Sequence, residues 1–200
     1  ERVSDDLINS VDSLSTNPIP VIYQSGYLTI KGYDERFKKY LLGFPNKEVE
    51  EGFLNFLLPL YCSAGDRSAF MVDEFVKDVE AGHVEQFMNR LTAFFADNSY
   101  QVAGEAELYF QNAMYLVFKI MGFYTQVERP TSDGRIDAII QTPNYIYVIE
   151  CKLDRTADEA IKQIENNGYA EPFLMDKRKL YKIGVSFSSE TRGVAEYKIK

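Results

Sequence analysis

The fold of this chain is decided by the stretch Gly134-Arg-Ile-Asp137-Ala-Ile-Ile140, followed after a turn by Tyr145-Ile-Tyr-Val-Ile-Glu150-Cys-Lys152. Each apolar run is too short for a helix, and Thr142-Pro143-Asn144 separates them. The pattern therefore predicts a strand, a turn and a second strand. Because residues two apart in a strand project from one face, Glu150 and Lys152 are expected to point together.

Three charged residues interrupt these otherwise apolar strands, namely Asp137, Glu150 and Lys152. Burying a charge is costly unless it is paired or binds a metal. One interpretation is a solvated ion pair at a strand end, which is the common outcome for an isolated E-x-K. The other follows from Asp137 on the preceding strand, because two carboxylates and an ammonium at adjacent strand ends form a site for a divalent cation.

The residues Asp137 and Glu150-x-Lys152 resemble the active-site motif of the PD-(D/E)XK nuclease superfamily. The wider sequence is similar to one bacterial family of that superfamily, in which an AAA-type ATPase-like domain precedes a nuclease-like domain. The segments that carry this similarity are Gly134–Asp137, Ile149–Lys152, Gln163-Ile164, Tyr169, Gln24–Ile30 and Gly43–Val49.

The resemblance implies metal-dependent hydrolysis of phosphodiester bonds in nucleic acid, with DNA as substrate and a 5′-phosphate as product. Asp137 and Glu150 would bind Mg²⁺ or Mn²⁺, and the Cys151 carbonyl would complete the protein ligands. Coordination by oxygen alone suits these hard ions. Lys152 would orient a water molecule or neutralise charge on the phosphate. The Cys151 side chain, between Glu150 and Lys152, should point to the opposite face and pack as a small hydrophobe.

A strongly apolar segment, Gly104 to Met121, predicts a buried helix that ends at Gly122. In the superfamily a carboxylate on the helix before the sheet often joins the active site. Glu107 is the matching residue, both as a catalytic and as a metal-binding residue, and Glu105 is the alternative. The structural interpretation of Glu107 is a solvent-facing glutamate that the helix dipole favours.

The helix after Lys152 begins with a capping box, Thr156-Ala-Asp-Glu159, and should end at Gly168. The resemblance places Gln163 near the site, where it would hold the scissile phosphate or Lys152. Tyr169 would do likewise, although a tyrosine beyond a helix end usually only packs. Glu128, which ends the strand predicted before Asp137, is either a further acidic contributor or an exposed residue.

The fold class expected is α/β, a mixed sheet with a restriction-endonuclease-like core, preceded by a mainly helical region with a β-hairpin. Residues 101–200 form the nuclease-like domain, with further strands at Phe123–Glu128, Leu180–Ser188 and Val194–Ile199. Residues 1–100 are expected to form a helical, winged-helix-like connector, which by the resemblance would follow an ATPase-like domain missing from this chain. Within it we expect a helix end and linker over residues 1–20, a hairpin of Tyr27–Lys31 and Tyr40–Phe44, and three helices, the first capped by Asn46.

The composition limits the classes of protein and of site to which this chain can belong. The chain of 200 residues carries a net charge of −8, yet residues 151–200 hold ten basic and eight acidic side chains. A phosphate-facing surface would therefore use Lys177–Lys179 and Lys182, unless these form only a solvated turn. The single histidine excludes a multi-histidine zinc site. No apolar run is long enough to cross a membrane, and two cysteines fit a reducing cytoplasm.

A second interpretation is non-catalytic. The nuclease-like domain would then be a docking or binding module for the ATPase-like domain of a longer chain, and the acidic net charge favours this role. RNA is a third possibility, because nothing in the sequence indicates recognition of a 2′-hydroxyl. ATP hydrolysis does not belong to these residues, since no G-x-x-x-x-G-K-[ST] loop is present.

Overall fold

The computed structural model describes residues 2–4, 17–61, 68–96, 106–122, 124–128 and 137–200. The chain forms two compact units, Glu1–Phe56 and Leu57–Lys200. The unit that contains the large sheet thus begins well before residue 101, where the sequence predicted a boundary. The reason is visible in the packing of the second unit, in which Phe95 meets Phe187 of the sheet edge-to-face at 5.0 Å between ring centroids.

The first unit contains a small antiparallel sheet in the order β1–β3–β2. Its elements are β1 Arg2–Ser4, α1 Ile19–Gln24, β2 Thr29–Asp34, β3 Lys39–Gly43 and α2 Lys47–Leu57. The predicted hairpin is present, and Asn46 caps α2 by accepting a hydrogen bond of 2.9 Å from the Val49 N–H. The helix predicted for residues 1–20 is wrong at Arg2–Ser4, because Val3 is buried beside Leu42 and the segment pairs with β3. Residues 5–16 lie outside the described part.

After a short 3-10 helix at Leu58–Leu60, the described part of the second unit begins with the α-helices α3 Ser68–Ala81, α4 Val84–Phe95 and α5 Ala106–Met121. The helices α3 and α4 agree with the apolar periodicity of the sequence, and α5 agrees with the strongly apolar segment Gly104 to Met121, of which residues 104 and 105 lie outside the described part. Gly82, between α3 and α4, has φ of +78°, a left-handed conformation that favours glycine. The described faces of these helices bury a cluster of aromatic rings, namely Phe75, Phe87, Phe94, Phe95 and Phe110.

The remaining elements form a five-stranded sheet in the order β4–β5–β6–β7–β8. They are β4 Gln126–Glu128, β5 Asp137–Gln141, β6 Tyr145–Leu153, α6 Ala157–Asn166, β7 Lys179–Ser188 and β8 Gly193–Ile199. Only β6 and β7 run parallel, and α6 makes the crossover between them; the other neighbouring strands are antiparallel. The predicted mixed α/β sheet, with helices before it, is confirmed.

The two faces of β6 pack against different helices, and this alternation places the charged residues. Tyr147 faces α3, where its hydroxyl donates to the Val79 carbonyl at 2.7 Å. Ile146 and Val148 face α6 and pack with its apolar side chains. Glu150 and Lys152 continue the row on the α6 side. No helix in the described ranges has the length and apolar character needed to cross a membrane.

Candidate active site

Asp137 and Glu150 are direct partners across the antiparallel pair β5–β6. Directly opposed residues of such a pair lie on one face, with their Cβ atoms about 5 Å apart. The side chain of Asp137 lies outside the described part, so its backbone alone fixes this placement. The register therefore puts the two predicted carboxylate positions next to each other on the face that α6 covers.

Glu150 and Lys152 form a buried ion pair at the end of β6. The Lys152 Nζ donates to Glu150 Oε1 at 2.6 Å, and the side chains are 6% and 0% exposed. The same ammonium donates to Gln163 Oε1 on α6. The prediction that Glu150 and Lys152 point together is thus confirmed, and the interpretation as a solvated surface pair is wrong. Lys152 is held between its own strand and the crossover helix.

The second carboxylate oxygen of Glu150 is the feature of the site that most strongly indicates a bound cation. Glu150 Oε2 is buried and has no hydrogen-bond partner within the described ranges. An unsatisfied buried carboxylate oxygen is costly, so a native structure is expected to give it a partner. A hard divalent cation is a suitable partner, because such ions prefer carboxylate oxygens. The oxygen atoms of these residues suit Mg²⁺ or Mn²⁺, although the described part contains no group of three or more His, Cys, Asp or Glu side chains that could hold a metal ion.

Other predicted site residues lie on different elements. Cys151 is buried on the opposite face of β6, so only its backbone can contribute on the side of Glu150. Tyr169 packs against the apolar cluster beneath α6, and its hydroxyl accepts a hydrogen bond of 2.8 Å from Asn167 Nδ2. These contacts support the interpretation of Tyr169 as a packing residue.

Glu107 lies in the first turn of α5, and its side chain is outside the described part, as are Glu105 and the side chain of Glu128. Helix α5 packs on the face opposite α6. Its Phe110 stacks on Phe187 at 4.6 Å between centroids, and Phe187 is the strand partner of Leu153. The start of α5 is therefore at the same end of the sheet as Lys152.

The sequence did not single out Gly184, although it lies beside Glu150 in the parallel pair β6–β7. A Cβ at this position would come within 2.4 Å of the Ala157 carbonyl oxygen. Only glycine lets α6 approach the strand this closely, and the approach brings Gln163 to Lys152. A glycine inside an apolar strand is a recognised signal of close approach by another backbone.

The start of α6 agrees with the sequence in detail. Thr156 and Glu159 form the predicted capping box, in which the Glu159 N–H donates to Thr156 Oγ1 at 3.2 Å and the Thr156 N–H donates to Glu159 Oε2 at 3.0 Å. Hydrogen bonding from Thr156 lowers the pKa of the Glu159 carboxyl. The helix thus has a fixed beginning from which the position of Gln163 follows.

The basic cluster Lys177–Lys179 lies at the other end of the sheet. Lys179 pairs with Tyr145, whereas Lys152 pairs with Ser186, seven residues further along both strands. That offset corresponds to about 23 Å. Arg178 donates to Asp176, Gln141 and the Thr142 carbonyl, and its bond lowers the pKa of Asp176 to about 2. The Arg178 contacts therefore hold the segment before β7 in place. Lys179 lies five residues along the strand from Gly184, the partner of Glu150, which corresponds to about 17 Å.

Comparison with known proteins agrees with this geometry. Residues 105–197 match the sequence model of the PD-(D/E)XK nuclease superfamily. The chain is also 26% identical over 200 residues to a protein of Azotobacter chroococcum mcd 1 described as an uncharacterized protein in the vnfD 5′ region. The alignment covers 95% of this chain and 38% of that relative, so the chain spans well under half of the relative's length. No solved structure matches.

Proposed function

We propose that this protein hydrolyses phosphodiester bonds of nucleic acid, with DNA as the substrate, in a reaction that depends on Mg²⁺ or Mn²⁺. The observation that carries the proposal is the buried Glu150 Oε2 without a hydrogen-bond partner in the described part, one strand away from Asp137. The match of residues 105–197 to a nuclease superfamily supports the same chemistry.

The chain's own groups have distinct roles in this proposal. Asp137, Glu150 and the Cys151 carbonyl would hold the cation, and Glu107 would assist from α5. Bound by these residues, Mg²⁺ or Mn²⁺ would supply Lewis-acid chemistry at the phosphate and lower the pKa of a nearby water. Lys152 neutralises charge that develops on the phosphate, a stabilisation that is strong where water is excluded. Gln163 and Glu150 keep the ammonium in place, so little reorganisation is needed during the reaction.

Cleavage of supercoiled and linear DNA by the purified protein, with and without Mg²⁺, tests the proposal. We expect Asp137→Asn and Lys152→Gln each to lower the rate by about 100-fold or more, as removal of one electrostatic group does in other active sites. Asp158→Asn is the matched control, because Asp158 is an exposed carboxylate of the same unit, paired only at the surface with Lys198. Cleavage that persists in both site variants would exclude this site.

Calorimetric titration with Mn²⁺ separates catalysis from a docking role. Wild type should bind at millimolar concentration or below, and Glu150→Gln should bind more weakly because it removes a ligand charge. Absence of binding and of cleavage would favour the docking module, which the net charge of −8 also suits. An RNA strand of the same sequence, run in parallel, decides between the two nucleic acids.

A further inference from the structure

The position of α6 decides whether Gln163 reaches the Lys152 ammonium. Its ammonium contacts Glu150 on β6 and Gln163 on α6. Hydrogen bonds weaken steeply with distance and angle, so a helix shift of about 1 Å is enough to break the Gln163 contact. Only residues 154–156 connect β6 to α6, and whatever fixes this short connection also fixes Gln163.

Two polar side chains from β7 and β8 hold the connection. Ser186 Oγ donates to the carbonyl of Arg155, and Ser186 is itself buried at 3% exposure. Glu196 Oε1 accepts a hydrogen bond of 2.7 Å from the Ala157 N–H, the first residue of α6. A carboxylate at this place is also favoured by the helix dipole. The start of α6 is thus held by a donor and an acceptor that belong to the sheet.

The strand register places these holding groups in one row with the ammonium. Lys152 is the partner of Ser186 in the parallel pair, and Ser186 is the partner of Glu196 in the antiparallel pair. Residues so paired share a face of the sheet, which here is the α6 face. The proposed catalytic residue Lys152 and the two residues that hold the start of α6, Ser186 and Glu196, therefore lie in a single row across three strands.

We infer that Ser186 and Glu196 are positioning residues of the site: they fix the start of α6 and thereby keep Gln163 against the Lys152 ammonium. The consequence for cleavage rests on the proposed function. The consequence for the burial of Lys152 does not, because it is a property of the fold. A role in helix capping alone would lower stability and leave the environment of Lys152 unchanged.

Amine acylation followed by mass spectrometry measures the exposure of Lys152 directly. The reagent is N-hydroxysuccinimidyl acetate, and Lys162, exposed on the same helix, is the internal reference. We expect Lys152 of wild type to react slowly and Glu196→Ala to raise its relative rate about tenfold, since a charge-assisted hydrogen bond that limits local opening is lost. Glu196→Gln keeps an oxygen acceptor and should stay close to wild type.

Glu165→Ala serves as the control, because it removes an exposed contact of α6 with Lys200 of the sheet region but leaves the helix start intact. Ser186→Ala provides a second test should Glu196→Ala fail to fold. Unchanged Lys152 acylation in both Glu196→Ala and Ser186→Ala, at a lowered melting temperature, would overturn the inference. Raised acylation in a protein without nuclease activity would uphold the positioning role and reject the proposed function.

Discussion

At the residue scale, the buried pair of Glu150 and Lys152 is the feature that ordinary packing does not explain. Removing two charges from water costs more than their attraction commonly returns, so such a pair seldom stabilises a fold. Here one carboxylate oxygen is left without a hydrogen-bond partner in the described part, which adds to the cost. A role in the proposed reaction therefore explains the pair better than a contribution to the stability of the fold.

A double-mutant cycle tests whether the pair is charged in the folded protein. Lys152→Met should lower the free energy of unfolding by about 3–5 kcal/mol, because it leaves the Glu150 carboxylate buried without its partner. Glu150→Gln together with Lys152→Met should cost clearly less than Lys152→Met alone. Urea unfolding of the four proteins measures this, and additive losses would show that the two groups are not coupled.

Asp154 gives the connection between β6 and α6 a pH dependence. Its pKa is lowered by hydrogen bonds from the Ser189 hydroxyl and the Ser189 N–H, at 2.7 and 2.9 Å. A depressed pKa means that this contribution to stability is full above the unfolded value of about 3.9 and is lost as the pH falls through the folded value.

Ser189→Ala should raise the pKa of Asp154 towards its ordinary value and flatten the acid side of the stability profile. Carbon-13 NMR titration of the carboxyl groups measures the first effect, and melting temperature against pH measures the second. Glu159, whose lowered pKa depends on Thr156, is the internal control and should not change. An unaltered Asp154 titration would show that the hydroxyl contributes nothing.

At the element scale, the crossover β6–α6–β7 builds the site. Strand β6 supplies Glu150 and Lys152, and α6 supplies Gln163 and covers them. Helix α6 packs on β7 at Gly184, where the backbone of the helix fills the space that a side chain would need. Because Gly184 has no Cβ atom, α6 can approach the sheet this closely.

Gly184→Ala should displace α6, because its Cβ would lie 2.4 Å from the Ala157 carbonyl oxygen. That oxygen belongs to the backbone, so a change of side-chain rotamer cannot relieve the clash. Overpacking of this kind costs about 1–3 kcal/mol. Gly193→Ala is the matched control, since its Cβ would find ordinary contacts of 3.7 Å or more. Urea unfolding compares the two variants, and equal stability would mean that α6 adjusts without loss.

At the scale of the whole molecule, the acidic charge and the position of the basic residues limit how a polyanion can bind. The net charge is −8, and Lys177–Lys179 lies at the sheet end remote from Glu150. In the proposed nuclease, attraction for a nucleic acid would come chiefly from the cation and from basic groups near the site, such as the exposed Arg155. Binding by charge alone is expected to be weak.

The sequence alone determined the alternation of the two central strands, the capping box of α6 and the amphipathic helices, because these depend on periodicity and on contacts within a few residues. By resemblance it also predicted Asp137, Glu150, Lys152 and Gln163 as site residues. It did not predict β1, since Arg2–Ser4 is a strand only through its pairing with β3. Local pattern carries no information about such a distant partner.

Only the tertiary structure decided which residues surround Lys152. Gly184, Ser186 and Glu196 look unremarkable in the sequence, and they meet α6 because the register of three strands aligns them. The same register places Lys177–Lys179 at the end of the sheet remote from Lys152. Sequence fixes which side chains are available, but pairing between strands far apart in the chain fixes which of them share a face, and the chemistry depends on that.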